Sequence, residues 1–311
     1  MTQSITVISV NISTKKGTIK HPVPKIDLNF NGIETDAHSG KWHRQVSLLG
    51  LESVEKFSVE AGRAIQHGEF AENITSKGVT LYETHPLDRF VGEKVTLEVT
   101  QIGKKCHGSN CQIYREVGNC VMPKEGIFAR VITPGSLQSG DVLTYVPRVI
   151  RVGIITLSDR ASEGVYEDLS GKEIERYTKE HFLGLKRPVS VSYHLIPDDS
   201  ALLQAMIEQL VDDQMDVIFT TGGTGIGPKD ITPDVIKPML DKEIPGIMEL
   251  VRVKYGTEKP AALLSRSIAG VLSNTLIYCL PGSVKAVKEY MHEIYPTVMH
   301  SLYMLHGLDL H

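Results

Sequence analysis

The sequence predicts two folded domains of different class, a β-rich domain followed by an α/β domain. The chain has 311 residues, more than the roughly 100–200 residues typical of one domain. Its 41% hydrophobic and 23% charged residues are ordinary for globular proteins and exclude disordered and fibrous classes. Near residues 145–148, turn-rich β segments give way to alternating apolar strands and helical patterns. We therefore place the domains at residues 1–146 and 149–311.

Charge and hydropathy exclude two classes of partner. Residues 1–148 contain 17 Lys and Arg against 15 Asp and Glu, and the remainder contains 16 against 22, so neither half is basic enough for a nucleic-acid groove. No apolar run reaches the ~18 residues of a membrane span, and polar residues interrupt any signal-peptide core near the start. We expect a cytoplasmic protein that binds neither nucleic acid nor membrane.

The first domain is predicted to be β-rich. β-branched residues and partial alternation of apolar and polar positions indicate strands at residues 5–10, 94–102 and 127–132. The main helix is predicted over residues 48–65.

In the second domain, strands and helices alternate. Strands are predicted at residues 149–157, 189–195, 216–221 and 276–280, with helices at 171–181 and 201–211. A last helix after the N-cap Ser283 carries an apolar stripe at three- and four-residue spacing, formed by Val284, Val287, Met291, Ile294, Val298, Leu302 and Leu305. This order predicts a mostly parallel sheet with helices on both faces and ligands at the carboxyl ends of its strands.

A glycine-rich turn, TTGGTGIGPKDITPD, follows the strand at residues 216–221. Glycines at this position let backbone N–H groups converge on phosphate oxygens, and the candidates are Gly222, Gly223, Thr224 and Gly225. The spacing does not fit the Walker pattern, which needs Lys directly after its last glycine, where this chain has Pro228. It does not fit the dinucleotide-binding pattern either, because that pattern needs two residues between its last two glycines and this chain has only Ile226. A tight structural turn is the alternative interpretation.

Polar residues also follow the other predicted strands, and the four loops should meet at one edge of the sheet. These residues are Ser158, Asp159 and Arg160, then Asp198 and Asp199, then Pro281, Gly282 and Ser283. Carboxylates beside a phosphate cradle repel the ligand unless a cation intervenes. Asp198 and Asp230 therefore predict Mg²⁺ bound together with a nucleotide polyphosphate.

Six segments in order resemble the molybdopterin adenylyltransferase family over nearly all of residues 149–311: TLSDRASEGVYED, LIPDD, TTGGTGIGPKDITPD, PGIMELVR, ALLSRSIAG and LPGS. The resemblance implies a three-layer α/β/α fold and a homotrimer. It also implies a reaction that joins the terminal phosphate of molybdopterin to the α-phosphoryl group of ATP and releases pyrophosphate. By the same resemblance Asp198 and Asp230 are the essential carboxylates, and substrate-binding roles fall on Ser158, Asp159, Arg160, Glu249, Ser265 and Arg266.

The segments GIETDAHSGKWHRQVSLL, GEFAENIT, VTQIGKKCHGSNC, GNCVMPKEGIFARV and SGDVL resemble, in order, the MOSC domain, named for the C-terminus of molybdenum cofactor sulfurase. This resemblance covers roughly residues 1–146 and implies a β-barrel-like α+β fold. Cys106 takes the position of the family's characteristic cysteine, which carries sulfur as a persulfide or binds the metal of the mature cofactor. Thr35 and Ala71 stand where the family usually has glycine.

The chemistry around Cys106 is compatible with either role. Lys104 and Lys105 favour the thiolate, which attacks sulfur or ligates a soft metal. One alternative is an inert buried thiol, which suits Cys111, Cys120 and Cys279 better than Cys106. Another is a zinc site of Cys106, His107, Cys111 and Cys120, although the paired C-x₂-C spacing of structural zinc is lacking.

Arg44, in WHRQVSLL, is a candidate for binding a pterin or a phosphate. The alternative is that it caps an edge of the core.

The principal hypothesis is a two-domain protein of molybdenum cofactor biosynthesis. Its second domain would adenylylate molybdopterin with Mg-ATP, and its first would handle sulfur or the mature cofactor through Cys106. The competing hypothesis is a non-catalytic carrier that binds molybdopterin or the cofactor. Other cofactor-biosynthesis proteins and apo-molybdoenzymes are the expected protein partners.

Overall fold

The computed structural model describes residues 3–105 and 120–308. The chain divides into two compact units, residues 1–148 with 307–311, and residues 149–306. Among the described residues, no helix is both long and apolar enough to cross a lipid bilayer.

The described strands of the first unit form a closed barrel and a small separate sheet. They are β1 (Ser4–Ile12), β2 (His21–Val23), β3 (Lys25–Asn29), β4 (Gly32–Ile33), β5 (Val46–Gly50), β6 (Ile74–Lys77), β7 (Arg89–Val91), β8 (Thr96–Ile102), β9 (Ile127–Thr133), β10 (Gly135–Gln138) and β11 (Val142–Val146). Seven of them pair in the order β1-β11-β7-β8-β9-β5-β6 and back to β1, while β2 extends beside β1. The other sheet has the order β10-β3-β4.

Closure of the barrel buries an apolar interior and leaves few strand edges exposed. Ile5, Leu48, Ile74, Leu97 and Leu143 come from five strands and are all fully buried in one cluster. The predicted β-rich domain is confirmed, as are the strands predicted at residues 5–10, 94–102 and 127–132.

The main helix of the first unit is shorter than predicted. Helix α1 covers Leu51–Ala61, so the prediction of a helix over residues 48–65 was wrong at both ends. The run Val46–Gly50 is a fully buried strand paired with β6 and β9, and a short apolar run fits a buried strand as well as a helix. At the other end Gly62 has a φ of 65° and caps the helix in the left-handed conformation.

Thr35 and Ala71, which replace glycines usual in the resembled family, have φ values of 69° and 63°. This left-handed region disfavours residues with a Cβ atom. The chain therefore keeps a backbone suited to glycine at both positions.

A buried ion pair links two loops of the first unit. Lys20 Nζ donates to both oxygens of Asp36, at 2.8 and 2.6 Å, and both side chains are 1% exposed. Asp36 also accepts from the backbone N–H groups of Ser13 and His38 and from the amide of Asn73. Burial raises the pKa of Asp36, but the hydrogen bonds from His38 and Lys20 and the charge of Lys20 outweigh this effect and hold that pKa well below its usual range.

The second unit is a six-stranded sheet flanked by helices. Its elements are β12 (Ile150–Leu157), α2 (Asp159–Ser162), α3 (Ser170–Gly184), β13 (Val189–Ile196), α4 (Ser200–Asp212), β14 (Val217–Thr221), α5 (Thr232–Ile236), β15 (Lys242–Glu243), α6 (Pro245–Gly256), β16 (Ala269–Leu272), β17 (Thr275–Leu280) and α7 (Val284–Leu305). The sheet order is β13-β12-β14-β17-β16-β15.

The sheet is mixed. Its first four strands are parallel neighbours, which confirms the strands predicted from sequence. The antiparallel strands β16 and β15 extend it at one edge, and the sequence did not predict them.

Apolar clusters cover both faces of this sheet. Residues of α3, α6 and α7 pack with one face, and residues of α4 and α5 pack with the other. The predicted stripe of α7 is buried from Val287 to Leu302, with Val284 and Leu305 half-buried at its ends. Ser283 is the N-cap of α7, as predicted, and accepts from the backbone N–H of Ala286 at 3.2 Å.

We predict that Asp36→Asn destabilises the first unit by about 3–5 kcal/mol, because it leaves the ammonium of Lys20 buried without a countercharge. In the native protein this contribution is present above about pH 4, the ordinary pKa of Asp. It is lost as the pH falls through the depressed pKa of the folded state. Urea unfolding of the full chain, followed by circular dichroism at pH 7, measures the loss.

Asp27→Asn is the matched control, because Asp27 pairs with Lys25 at 2.9 Å and both side chains are largely exposed. It should change the free energy of unfolding by less than about 1 kcal/mol. Equal effects of the two substitutions would contradict the role given to Asp36.

Candidate active site

Four loops of the second unit follow the carboxyl ends of its parallel strands. We call them together the rim, and they consist of residues 158–160, 197–199, 222–231 and 281–283. Because β13, β12, β14 and β17 are parallel neighbours, all four loops lie at the same edge of the sheet. This is the arrangement the sequence predicted.

The first two glycines of the glycine turn are required by its backbone. Gly222 has a φ of 103° and Gly223 a φ of 63°. A Cβ atom at Gly222 would lie 2.3 Å from the carbonyl oxygen of Leu157. Thr232 closes the turn by donating from its hydroxyl to Gly222 O at 2.9 Å and from its N–H to Gly223 O at 3.0 Å. These two glycines therefore fulfil a structural role as well as facing the cavity described below.

The later glycines make room for Asp230. A Cβ atom at Gly225 would lie 2.7 Å from Asp230 Oδ2, and one at Gly227 would lie 3.0 Å from it. Asp230 Oδ2 accepts from the N–H of Gly227 at 2.8 Å. The carboxylate thus folds back over the turn.

Arg266 holds the glycine turn from the side. Its Nε donates to Gly225 O at 2.7 Å, its Nη2 donates to Asp230 O, and its Nη1 pairs with Asp234 at 2.7 Å. Its backbone N–H donates to Thr224 O at 2.8 Å. All three guanidinium nitrogens are engaged within the protein, so Arg266 positions the turn.

Asp159 and Asp198 bind each other's backbone. The N–H of Asp159 donates to Asp198 Oδ2 at 3.2 Å, and the N–H of Asp198 donates to Asp159 Oδ1 at 3.0 Å. Asp159 Oδ2 pairs with Lys229 Nζ at 2.5 Å, and Asp230 follows Lys229 in the chain. The structure therefore connects three of the four rim loops. Sequence reasoning missed Lys229, although it is the one basic residue of the turn.

The side chains of Ser158 and Arg160 meet at Tyr166. Ser158 Oγ and the Tyr166 hydroxyl form a hydrogen bond of 2.7 Å. The guanidinium carbon of Arg160 lies 5.1 Å from the centre of the Tyr166 ring, within the range of a cation–π contact. The sequence analysis did not identify Tyr166.

The loop of residues 281–283 packs against the glycine turn. Pro281 O accepts from the hydroxyl of Thr221 at 2.9 Å. A Cβ atom at Gly282 would lie 3.4 Å from the Cα of Gly222, so the two backbones approach closely. Ser283 contributes the N-terminal end of α7, whose free N–H groups favour an anion.

A cavity of about 640 Å³ opens beside the glycine turn. Predicted site residues that line it are Gly222, Gly223, Thr224, Gly225, Asp230, Ser265, Pro281, Gly282 and Ser283. Those outside its lining are Ser158, Asp159, Arg160, Asp198, Glu249 and Arg266. Glu249 lies exposed on α6. The structure thus joins the glycine turn, Ser265 and the last rim loop in one cavity.

Aromatic and apolar side chains also line this cavity. Val251, Tyr255, Leu264 and Tyr290 all line it. The Tyr290 hydroxyl donates to Ser265 Oγ at 3.1 Å. Burial and the neighbouring carboxylate of Glu293 raise the pKa of Tyr255 to about 12. These aromatic and apolar side chains could contact a planar ring of a ligand. Sequence reasoning did not predict that they line the cavity, because they come from segments that are distant in sequence.

Asp168 is a second residue that the sequence analysis missed. Its carboxylate is buried and accepts from the hydroxyls of Thr156, Ser170 and Tyr193 at 2.7 Å each. Burial raises the pKa of Asp168, but these hydrogen bonds outweigh it and hold that pKa below its usual range. The network fixes the N-terminal end of α3 against β12 and β13.

The carboxylate oxygens of the rim are too few to coordinate a metal ion without further ligands. Among the described residues, no group of three or more His, Cys, Asp or Glu could hold a metal ion. Asp198 and Asp230 each use Oδ2 to accept a backbone N–H. A cation held by their remaining oxygens would need further oxygen ligands, such as phosphates.

The predicted site of the first unit is described only in part. Cys106, His107 and Cys111 lie outside the described residues. The guanidinium carbon of Arg44 lies 4.9 Å from the ring centre of Trp42, and its Nε is buried without a hydrogen-bond partner among the described residues.

The two described cysteines differ in exposure. Cys120 is half-buried. Cys279 is fully buried, and burial raises its pKa to about 12, as expected of an inert thiol.

Comparison with known proteins matches the two units to two families. A model described as a probable molybdopterin binding domain matches residues 153–300, and the MOSC domain model matches residues 35–144. The molybdopterin adenylyltransferase of Helicobacter pylori strain J99 is 37% identical over 161 residues, covering 51% of this chain and 90% of that protein. That of Escherichia coli K12 is 33% identical over 171 residues, covering 51% and 86%.

Gephyrin of Dictyostelium discoideum is 39% identical over 162 residues, which cover 50% of this chain and 22% of gephyrin. The match to the bacterial enzymes spans nearly their whole length and falls on the unit that holds the rim and the cavity. Through that unit the chain belongs to the molybdopterin adenylyltransferase family, and its first unit contains a MOSC domain.

Proposed function

We propose that residues 149–311 transfer an adenylyl group from Mg-bound ATP to molybdopterin, as a step of molybdenum cofactor biosynthesis. An oxygen of the terminal phosphate of molybdopterin attacks the α-phosphorus of ATP. The bond from that phosphorus to the oxygen that bridges to the β-phosphate breaks, and pyrophosphate leaves. The product is adenylylated molybdopterin.

The observation that carries this proposal is the cavity that joins an anion cradle to an aromatic wall. The glycine turn and the N-terminal end of α7 both line it, and a helix N-terminus favours an anionic group. Tyr255 and Tyr290 line the same cavity. Both substrates combine phosphates with a planar ring, so they match a cavity lined by both kinds of group.

The protein's main contribution is positioning and charge neutralisation. The attacking phosphate oxygen is already anionic, so no side chain is needed to remove a proton. Asp198 and Asp230 would hold the Mg²⁺ that accompanies ATP, and this ion would lower the repulsion between the two anionic reactants. Ser158 and Arg160 at the rim, with Ser265 and Ser283 in the cavity, supply further polar contacts to substrate.

For residues 1–146 we propose a role in handling sulfur or the mature cofactor through Cys106. Arg44 supports a binding function, because its buried Nε has no hydrogen-bond partner among the described residues. Buried donors normally find a partner, and an anionic ligand group would provide one.

We also propose that the protein assembles as a homotrimer through residues 149–311. Helix α6 packs against the 3₁₀ turn Pro260–Leu264. Both segments expose apolar side chains, namely Leu250, Val253 and Leu263. A subunit interface would remove such side chains from water.

Asp198→Asn and Asp230→Asn should each reduce pyrophosphate release from molybdopterin and Mg-ATP by roughly 100-fold or more, the scale on which a lost electrostatic contact to the transition state acts. Asp212→Asn, at the exposed end of α4, is the control and should retain wild-type activity. Near-normal release in both rim variants would remove their role in holding Mg²⁺. A wild-type protein that binds molybdopterin without any turnover would favour the carrier hypothesis.

Residues 1–146 and 149–311 should fold separately, because each unit encloses its own apolar clusters. Expressed alone, residues 149–311 should be soluble, unfold cooperatively and release pyrophosphate at a rate within about threefold of the full chain. An equimolar mixture of the two fragments is the control, since it shows whether residues 1–146 change the activity of residues 149–311 without a covalent link. Insoluble or inactive protein from residues 149–311 would show that the second unit depends on the first.

Cys106 should be the most reactive thiol, because Lys104 and Lys105 favour its thiolate while Cys279 is fully buried. Pulse alkylation of the native protein followed by peptide mapping measures the labelling of each cysteine. Earlier labelling of Cys111 or Cys120 would overturn this order. Cys106→Ala should abolish persulfide formation or cofactor binding and leave adenylyl transfer unchanged, whereas a large loss of adenylyl transfer would place Cys106 in a shared site.

A further inference from the structure

Lys229 is an exposed lysine that forms a close ion pair with Asp159, beside Asp198. Its ammonium lies 2.5 Å from Asp159 Oδ2, although 77% of its side chain is exposed. The residues on either side fix its backbone position, because Gly227 and Asp230 form a tight turn with hydrogen bonds in both directions. Lys229 therefore projects from that turn toward the loop that follows β12.

The charge of Lys229 also acts on Asp198. Asp159 uses its other oxygen to accept from the N–H of Asp198, which brings the ammonium near the Asp198 carboxylate. The hydrogen bond to Asp159 is the main cause of a raised pKa for Lys229, and the charge of Asp198 adds to it. The same hydrogen bond holds the pKa of Asp159 below its usual range. A resident positive charge thus lies beside the carboxylate proposed to hold Mg²⁺.

We propose that Lys229 is a specificity-determining residue that makes metal binding depend on the nucleotide. Without nucleotide, its ammonium neutralises Asp159 and repels a free divalent cation from Asp198. When the cation arrives on a polyphosphate, the phosphate oxygens at the glycine turn offer the ammonium a new partner. The position of the ammonium among the carboxylates would then be open to the cation. This inference rests on the proposed function of Asp198.

The chain has the features that such an exchange requires. The lysine side chain is long, flexible and exposed, so it can change partner without rearrangement of the backbone. An ion pair this exposed contributes little to folding stability, so its removal should leave the fold intact. By contrast, Arg266 makes four hydrogen bonds inside the protein and cannot move freely.

The test compares Mn²⁺ binding with nucleotide binding in Lys229→Met, Lys229→Arg and Lys237→Met. Lys237 forms an exposed pair with Glu243 at 3.2 Å, so its variant controls for the loss of any surface ion pair. Mn²⁺ is the probe, because electron paramagnetic resonance reports the free ion directly. Titrations are made without nucleotide, and then with a non-hydrolysable ATP analogue at saturating Mn²⁺.

Lys229→Met should bind Mn²⁺ roughly three- to tenfold more tightly without nucleotide, since a unit charge a few ångströms from a dication site has an effect of this size. The same variant should bind the Mn²⁺–nucleotide complex more weakly by a similar factor. Lys229→Arg and Lys237→Met should behave like the wild type. If Lys229 only supported the fold, its replacement would not change the affinities for free Mn²⁺ and for the Mn²⁺–nucleotide complex in opposite directions.

Unchanged or weaker Mn²⁺ binding by Lys229→Met in the absence of nucleotide would overturn the inference. Loss of affinity for both ligands would do the same, because it would indicate a damaged rim. Neither titration uses molybdopterin or turnover. Failure of adenylyl transfer in the wild type is therefore seen separately, in pyrophosphate release.

Discussion

The approach of the backbone at Gly222 to the neighbouring strands is the constraint on which the site depends. The N–H of Gly222 donates to Leu280 O at 3.1 Å, and any Cβ atom there would lie 2.3 Å from Leu157 O. The chain thus leaves β14 between the ends of β12 and β17. This exit fixes the direction of the glycine turn, and the positions of Asp230 and Lys229 follow from it.

The charged residues around the turn divide into fixed and exchangeable groups. Arg266 and Asp168 bond to several partners within the protein, so they maintain the shape of the loops whatever ligand is present. Lys229 has one partner at an exposed position. Asp198 and Asp230 each use Oδ2 to accept a backbone N–H, and under the proposed function their other oxygens would bind the ligand. Rigid support beneath a few free groups is the arrangement that preorganised catalysis requires.

Sequence patterns predicted the parts of the structure that depend on local order. The alternation of strands and helices beyond residue 148 placed four loops at one edge of the sheet, and the short motifs identified those loops. The antiparallel strands β15 and β16 were missed because they are short and pair through contacts that no local pattern encodes. The limits of α1 were wrong because the buried run Val46–Gly50 has no periodicity that separates strand from helix.

Side-chain partners were the least predictable feature. Arg266 belongs to a motif that suggested substrate contact, yet its guanidinium binds Gly225 O, Asp230 O and Asp234. Arg266 and Gly225 are 41 positions apart in sequence, and neither segment contains a pattern that predicts contact with the other. Lys229 is the opposite case. The sequence analysis treated it only as part of the glycine turn, yet its ion pair with Asp159 links the loops that follow two strands. Composition and spacing identify which residues gather at the sheet edge, whereas only the folded backbone decides which of them bind each other.

The number of free carboxylate oxygens at the rim supports the proposal that a metal ion binds together with the nucleotide. Two carboxylates that each offer one oxygen supply far fewer ligands than the six Mg²⁺ normally takes, so the protein alone would hold the ion weakly. In the proposed reaction a triphosphate would supply further oxygens and bring its charge to the glycine turn at the same time. The ion would then complete its coordination only with the nucleotide, Asp198 and Asp230 together, so its binding would depend on correct placement of the nucleotide. A closed site with three or more protein ligands would retain the ion between turnovers and lose that discrimination.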